Sequence, residues 1–341
     1  MNPLLTHPAL ERMNPARLRL VRMAAPLAAL NPFAADGVTI TPALLYAECN
    51  SKIAVAYELV RSGILSGEIT QGTRVVIPSS GNTGLDAAML LKALGVRGEV
   101  LMPQTAPPAK VGLVSVLGYP IDTTLVSAST VTRAKELAAL PGVFVLDQYG
   151  RREENRGAQK RHLAPKLWGA HRGDIDIVVA SGGTLGTAGG LLDYIEERGL
   201  STTVVLALCA PGEEIPAGRD EARIRREVSI GSVDEFAHRM LVTRFQAFLA
   251  SYAMFSQAAE WGPGGPTSGE ALSATLRFIK KHKDAGTLDQ FRNKKDRSIR
   301  VVFLCPDDYR AYSDLYRAEL NDDRDYFSPN IPVKRLLEEA V

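Results

Sequence analysis

Cysteine is scarce: Cys49, Cys209 and Cys305 are the only three in 341 residues, far apart and with no CxxC pair. That excludes a disulfide framework or a thiolate metal cluster and points to a reducing, cytoplasmic setting. Net charge is nearly absent as well, since 40 Lys+Arg against 38 Asp+Glu leave +2. There is then no electrostatic reason to expect a nucleic acid or an anionic membrane as partner. No apolar run approaches the ~20 residues that cross a bilayer. His7, His162, His171, His238 and His282 show no metal-ligand spacing and are read as surface or capping residues. No GxSxG motif is present, no Ser-His-Asp arrangement is legible, and neither GxxxxGK[ST] nor a clean GxGxxG occurs. The two tryptophans, Trp168 and Trp261, are read as packing residues. What remains is a chain that acts on a small molecule or on another protein.

With 45% hydrophobic and 23% charged residues the composition is that of an ordinary globular protein. The length predicts two domains or one large α/β unit. The opening 30 residues are Arg-rich but lack the apolar block and cleavage site of a secretory signal, and are read as a surface helix. Beyond them, short β-branched runs (74–78, 99–102, 143–146, 176–180, 203–208, 300–304) alternate with helical patterns (52–61, 83–94, 109–117, 130–140, 158–168, 188–198, 268–281). Such alternation predicts parallel βαβ units with helices on both faces of open sheets, and ligands at the carboxyl ends of the strands. The charged stretches 213–227 and 280–297 are read as solvated faces or loops.

Two strand-to-helix turns are unusually polar. The first is Ser79-Ser80-Gly81-Asn82-Thr83-Gly84, after "VVIP"; the second is Ser181-Gly182-Gly183-Thr184, after "DIVVA", with Gly186 following. Glycines at such a place let backbone N–H groups converge on an anion beside a helix N-terminus, and they also serve plain tight turns, so the second loop alone leaves both readings open. A third feature is Lys52, which begins an otherwise apolar helix where a cation opposes the helix dipole. By itself that placement is better read as an exposed lysine.

Taken in order, these elements resemble the fold-type II pyridoxal-phosphate enzymes, and within them the cysteine synthase/cystathionine β-synthase group. Further segments carry the resemblance: "APLAAL" (25–30), "GILSGEITQGTRVVIPSSGNTG" (63–84), "VLMPQ" (100–104), "DQYGRREENRGAQKRHLAPKLW" (147–168), "GGPTSGEALSATL" (264–276) and "VVFLCPDDYRAY" (301–312). The resemblance implies a two-domain fold, residues 1–48 with 150–341 forming the larger cofactor-binding domain and 49–149 a smaller mobile one. It implies pyridoxal 5′-phosphate held as a Schiff base by Lys52, its phosphate cradled by Ser181, Gly182, Gly183 and Thr184. Asn82 would bond the phenolic oxygen of the ring, and Thr267, with Ser268 beside it, would meet the pyridine nitrogen. Ser79, Ser80, Gly81, Thr83 and Gln148 would bind the α-carboxylate of an amino-acid substrate. The implied activity is β-replacement on an activated serine such as O-acetylserine or O-phosphoserine, through an aminoacrylate, in a homodimer.

The chain departs from the family pattern at several points. The loop before Lys52 is short, Ala54 stands where an arginine is usual, Ala180 and Thr187 replace glycines, and Gln159 stands in place of a histidine. Two other readings therefore remain: β-elimination of the serine or threonine dehydratase type, and a degenerate relative that keeps the fold as a binding partner.

Overall fold

The computed structural model describes residues 2–23, 28–45, 50–79, 81–125, 127–216, 218–257 and 264–307, with Tyr312, Leu315, Tyr316 and Glu319 beyond them. Cys49, Ser80, Trp261 and part of the 25–30 and 301–312 segments lie outside the described residues. Among the described residues there are ten strands: β1 (Arg22–Met23), β2 (Val38–Leu44), β3 (Arg74–Pro78), β4 (Arg97–Pro103), β5 (Ile121–Leu125), β6 (Val143–Val145), β7 (Ile177–Ser181), β8 (Thr203–Cys209), β9 (His238–Val242) and β10 (Ile299–Cys305). They make two sheets, one of order β1-β2-β10-β7-β8-β9 and one of order β5-β4-β3-β6. Every pairing is parallel except β1 with β2 at an edge.

The apolar runs account for this arrangement. Val75, Val76 and Ile77 of β3, and Ile177 to Ala180 of β7, are buried, and strands covered on both faces need continuous rather than alternating apolar sequence. The α/β class with parallel open sheets is therefore as the alternation predicts. Four strands escaped the reading, β1 among them because two residues make no pattern. β2 contains Pro42, normally a mark against a strand, yet it pairs with β10 over its whole length, Phe303 standing opposite Pro42. β5 and β9 mix polar and apolar residues too evenly to stand out.

Two further expectations are corrected. The opening stretch is no surface helix: a 3-10 turn (Pro3–Thr6) and a short helix (Pro8–Arg12) pack on the Ile53–Leu65 and Asn82–Leu94 helices and place the apolar Leu4, Ala9 and Leu10 in the same buried core as Val75 and Ile77 of the smaller sheet. Residues 213–227 are not simply solvated either; Ile215 and Ile224 anchor them in the core, and the Glu221–Glu227 helix is capped by Asp220, which accepts from the Arg223 N–H at 2.7 Å.

The strand orders explain where a ligand site can form. In the smaller sheet the chain runs outward from β3 through β4 to β5, then returns to β6 on the other side of β3. In the larger sheet it runs from β7 outward to β9 and returns to β10 on the other side of β7. At each reversal the loops beyond the carboxyl ends part and leave a crevice. Among the described residues no helix is long and apolar enough to cross a membrane.

Candidate active site

The two crevices open into one cavity of about 420 Å³. Lys52, Ser79, Gly81, Asn82, Thr83, Gln148, Ser181, Gly183, Thr184 and Thr267 all line it. Gly182 and Ser268 do not line it. The Gly182 N–H is used by the sheet, donating to the Ala207 carbonyl at 2.7 Å, and Ser268 is fully buried with its hydroxyl 3.5 Å from the Asp307 carbonyl oxygen.

Lys52 immediately precedes the Ile53–Leu65 helix, whose Ile53, Val55, Ala56, Leu59 and Val60 are fully buried. This apolar seat fixes where the lysine emerges. Its Nζ donates to the Thr187 hydroxyl at 3.3 Å, and burial pulls its ammonium down from the usual lysine range to about 8. A lysine so placed supplies a neutral amine close to physiological pH.

The Ser79–Gly84 turn is closed by its own side chains. Ser79 Oγ accepts from the N–H groups of Gly81 and Gly84 at 3.3 and 3.2 Å, folding the chain so tightly that a Cβ at Gly84 would lie 2.5 Å from the Ser79 carbonyl oxygen. Thr83 donates to Gln148 Oε1 at 2.7 Å, bridging the ends of β3 and β6. Asn82 sits in a buried ring of polar groups: Lys110 Nζ donates to Asn82 Oδ1 at 3.0 Å, and Asn82 Nδ2 donates to Asp307 Oδ2 at 3.0 Å. Tyr312 completes the ring, accepting from Lys110 and donating to Asp307, both at 2.5 Å. A lysine can only donate and a carboxylate only accept, so the Asn82 amide has one possible orientation.

The Ser181–Thr187 turn is built differently. It leads from β7 into the Gly186–Arg198 helix through Leu185, which holds φ 59 and provides no side-chain cap. That left-handed geometry is uncommon for a leucine, and strain of this kind gathers at ligand clamps. The first-turn amides that follow Gly186 are thus left without a side-chain acceptor, which is what an anion needs. Thr184 accepts from Asn155 Nδ2 at 3.1 Å and from the Gly186 N–H at 3.3 Å, so its own proton is available to a ligand. Ser181 donates to the Thr267 carbonyl at 3.0 Å, and Thr267 donates to the Pro216 carbonyl at 2.7 Å.

Several lining residues were not singled out from sequence. Lys110 and Asp307 have just been described, and Lys110 carried the very signal used for Lys52, a cation in the first turn of a helix (Pro108–Val116). Arg219, Arg223 and Arg244 also face the cavity. Arg219 donates to the Tyr149 hydroxyl at 2.6 Å, Arg223 pairs with Glu214 at 2.5 Å, and Arg244 pairs with Glu319. Behind Ser181 lies Glu270, whose carboxyl burial pushes up to about 8. Among the described residues no group of His, Cys, Asp and Glu is arranged to hold a metal.

Two parallel α/β units that share one crevice, with a lysine amine facing a helix N-terminus, make the architecture of fold-type II pyridoxal-phosphate enzymes. The chain belongs to the family described as pyridoxal-phosphate dependent enzymes, whose model matches residues 50–253. Among curated relatives it is similar to cysteine synthase B of Campylobacter jejuni, 28% identical over 151 residues that cover 43% of this chain and 50% of that protein. It is also similar to cystathionine β-synthase of Apis mellifera, 29% identical over 306 residues covering 81% and 56%. The chain thus spans about half the length of these relatives. Solved structures with the same fold include O-ureido-L-serine synthase, with TM-score 0.75 and 16% identity over 94% of this chain and 98% of that one. Cysteine synthase of Entamoeba histolytica follows with 0.74 and 18% over 97% and 94%. At those identities the likeness is one of fold.

Proposed function

We propose that the protein holds pyridoxal 5′-phosphate on Lys52 and replaces the β-substituent of an activated serine, of the O-acetylserine or O-phosphoserine kind. The observation that carries this reading is the Lys52 amine, held 3.3 Å from Thr187 at the uncapped end of the Gly186–Arg198 helix, with its proton affinity lowered to about 8. The donor set fits the cofactor: first-turn amides with Ser181, Gly183, Thr184 and Thr187 for a phosphate, and a neutral amine for an aldehyde.

Once bound, the cofactor supplies an electron sink for charge developed at the α-carbon of an amino acid. The protein's own residues do the rest. Gly81, Thr83 and Gln148, with Ser79 shaping the turn and Ser80 beside it, receive the α-carboxylate at the start of the Asn82–Leu94 helix, where the dipole favours an anion. Asn82, fixed by Lys110 and Asp307, presents an amide N–H to an oxygen acceptor on the ring. Lys52 takes the α-proton at Nζ. Thr267, on turning from the Pro216 carbonyl, would offer a hydroxyl, not a carboxylate, to the pyridine nitrogen, which favours loss of a β-substituent over transamination. The reading extends to residues 1–48 with 150–341 as one domain and 49–149 as a smaller one closing on the substrate; that the strands of the smaller sheet all come from 74–145 supports it. It also extends to a homodimer and to a reducing, cytoplasmic location, for which the unpaired, buried Cys209 and Cys305 speak.

The test is direct. Purified protein given the cofactor is expected to turn yellow, to lose the colour with borohydride, and to carry the cofactor's mass on the peptide containing Lys52; Lys52→Ala should show none of these. Adding O-acetylserine or O-phosphoserine with sulfide should then yield cysteine. Release of a keto acid and ammonia regardless of the nucleophile would favour elimination, and a colourless protein would overturn the cofactor assignment.

A further inference from the structure

The position of Lys52 poses a mechanical question. The residue has φ −100 and ψ 2, its side chain makes no capping bond, and lysine is a poor helix N-cap whose charge opposes the dipole. Local preference therefore does not explain why the turn is held where it is. The buried Ile53 seat holds the helix that follows, but the residues that lead into Lys52 need their own tether.

Asn50 supplies it. Its Oδ1 accepts from the Lys52 backbone N–H at 2.9 Å, a side-chain turn of the Asx type. Its Nδ2 donates in two directions, to the Asn82 carbonyl at 3.2 Å and to Asp86 Oδ1 at 2.7 Å. One amide thus joins the Lys52 turn to the first turns of the Asn82–Leu94 helix. The amide cannot be reversed, because that would set its NH2 against an N–H and its oxygen against two oxygens. Asp86 stands one helical turn after Asn82 and is 1% exposed, with Oδ2 lacking a hydrogen-bond partner. A carboxyl group buried on a helix whose Ala87, Ala88 and Leu90 are also buried has a desolvation cost, which the bond to Asn50 partly offsets.

We propose that Asp86, acting through Asn50, is a positioning residue that holds the Lys52 turn so that the amine meets the cofactor. It need only accept a hydrogen bond. Burial pushes its carboxyl well above the usual carboxylate range while Lys110 pulls the other way, and the neutral acid still offers a carbonyl oxygen to Asn50. Asp86→Asn keeps such an oxygen; Asp86→Ala removes it.

This inference rests on the assignment of Lys52 as the cofactor's anchor, and the experiment separates the two. The full-length protein, freed of cofactor, is mixed with pyridoxal 5′-phosphate, and the rate at which the cofactor becomes attached to Lys52 is followed by absorbance and by borohydride fixation. In parallel, affinity is measured for pyridoxine 5′-phosphate, which has the phosphate and ring but no aldehyde and cannot join a lysine. Asp86→Ala is expected to attach the cofactor at least about tenfold more slowly, the factor that about 1.4 kcal/mol of lost positioning gives, with unchanged affinity for pyridoxine 5′-phosphate. Asp86→Asn should stay within about twofold of the parent, since it removes no bond. Asn50→Ala carries the same expectation as Asp86→Ala and serves if that variant does not fold. Attachment at the parental rate in Asp86→Ala and Asn50→Ala overturns the proposal, as does an equal loss of pyridoxine 5′-phosphate binding, which marks general damage. A parent protein that never attaches the cofactor instead refutes the Lys52 assignment itself.

Discussion

The two turns that face each other across the cavity occupy equivalent places, each after a central parallel strand and before a helix, yet they are built in opposite ways. The Ser79–Gly84 turn is closed by side chains: Ser79 caps it, Thr83 is bound to Gln148, and Asn82 is tied to Lys110 and Asp307. The Ser181–Thr187 turn gives only the Gly186 N–H to a side chain, that of Thr184, and leaves the amides after it uncapped behind a strained Leu185. Side chains locked in advance give direction, which suits a planar carboxylate and a ring oxygen that must be met at set angles. Open amides at a helix end give charge complementarity without much direction, which suits a phosphate. The difference fits a first turn that discriminates and a second that grips.

The largest expected effect lies in the ring that ties the first turn to the larger sheet. Lys110 comes from the Pro108–Val116 helix and Asp307 follows β10, and both are nearly inaccessible to solvent, 3.5 Å apart. Breaking a buried pair from one side leaves a charge without its partner, a cost of about 3–5 kcal/mol. Lys110→Met should lose about that much in denaturant unfolding, and Lys110→Met with Asp307→Asn should regain part of it. A single variant as stable as the parent would show that the ring orients Asn82 without holding the sheets together.

A smaller effect should distinguish the turns by what each recognises. A Cβ at Gly84 would meet the Ser79 carbonyl at 2.5 Å, and one at Gly186 would meet Asn155 Oδ1 at 1.9 Å. Gly84→Ala should then raise KM for the amino acid by about tenfold with cofactor affinity near parental, whereas Gly186→Ala should weaken cofactor binding by a similar factor, since each new Cβ fits only if its own turn or the group it meets moves by about half an ångström or more. Equilibrium titration with the cofactor and initial rates on each variant separate the outcomes. If both variants change both constants alike, the two turns are one recognition unit and the contrast between them fails.

Much of this was legible in the sequence because the signals were local. Continuous apolar runs before the polar hexapeptide and before Ser181 marked β3 and β7, and the helix-period residues after them marked the helices. Lys52 stood out through the resemblance, since its place at the head of an apolar helix was by itself better read as an exposed lysine. What stayed hidden depended on distant pairing. Lys110 and Asp307 lie 197 positions apart, and nothing near either announces a partner. β2 was hidden by Pro42, which the pairing with the distant β10 accommodates. Ser268 and Gly182 were expected at the site because a motif has no depth: the structure puts Ser268 beneath the cavity and gives the Gly182 amide to β8. Asp86 passed unnoticed for the opposite reason, a charged residue in a helix pattern being an ordinary solvated position until its neighbours are known.

The last expected difference is one of pH. The polar residues of the first turn, Ser79, Asn82 and Thr83, do not titrate, whereas Lys52, opposite the second, has its ammonium lowered from 10.5 to about 8. Only the neutral amine attacks an aldehyde, so cofactor attachment by the unloaded protein should rise about tenfold per pH unit below about 8 and flatten above it. An exposed lysine would keep rising to its ordinary value of about 10.4. The same shift fixes the sign of its effect on stability: between about 8 and 10.5 the unfolded chain holds a proton that the folded one does not, so stability from this group rises with pH across that window, and its cost is complete below it. Attachment rates measured from pH 6 to 10 by stopped-flow absorbance should therefore bend near 8. Binding of the unreactive pyridoxine 5′-phosphate, which needs the amides but not the amine as nucleophile, should not bend in the same way. A rate that climbs unbroken to pH 10 would place Lys52 in water, away from the buried amine described, and would remove the chemical reason for setting a gripping turn opposite a discriminating one.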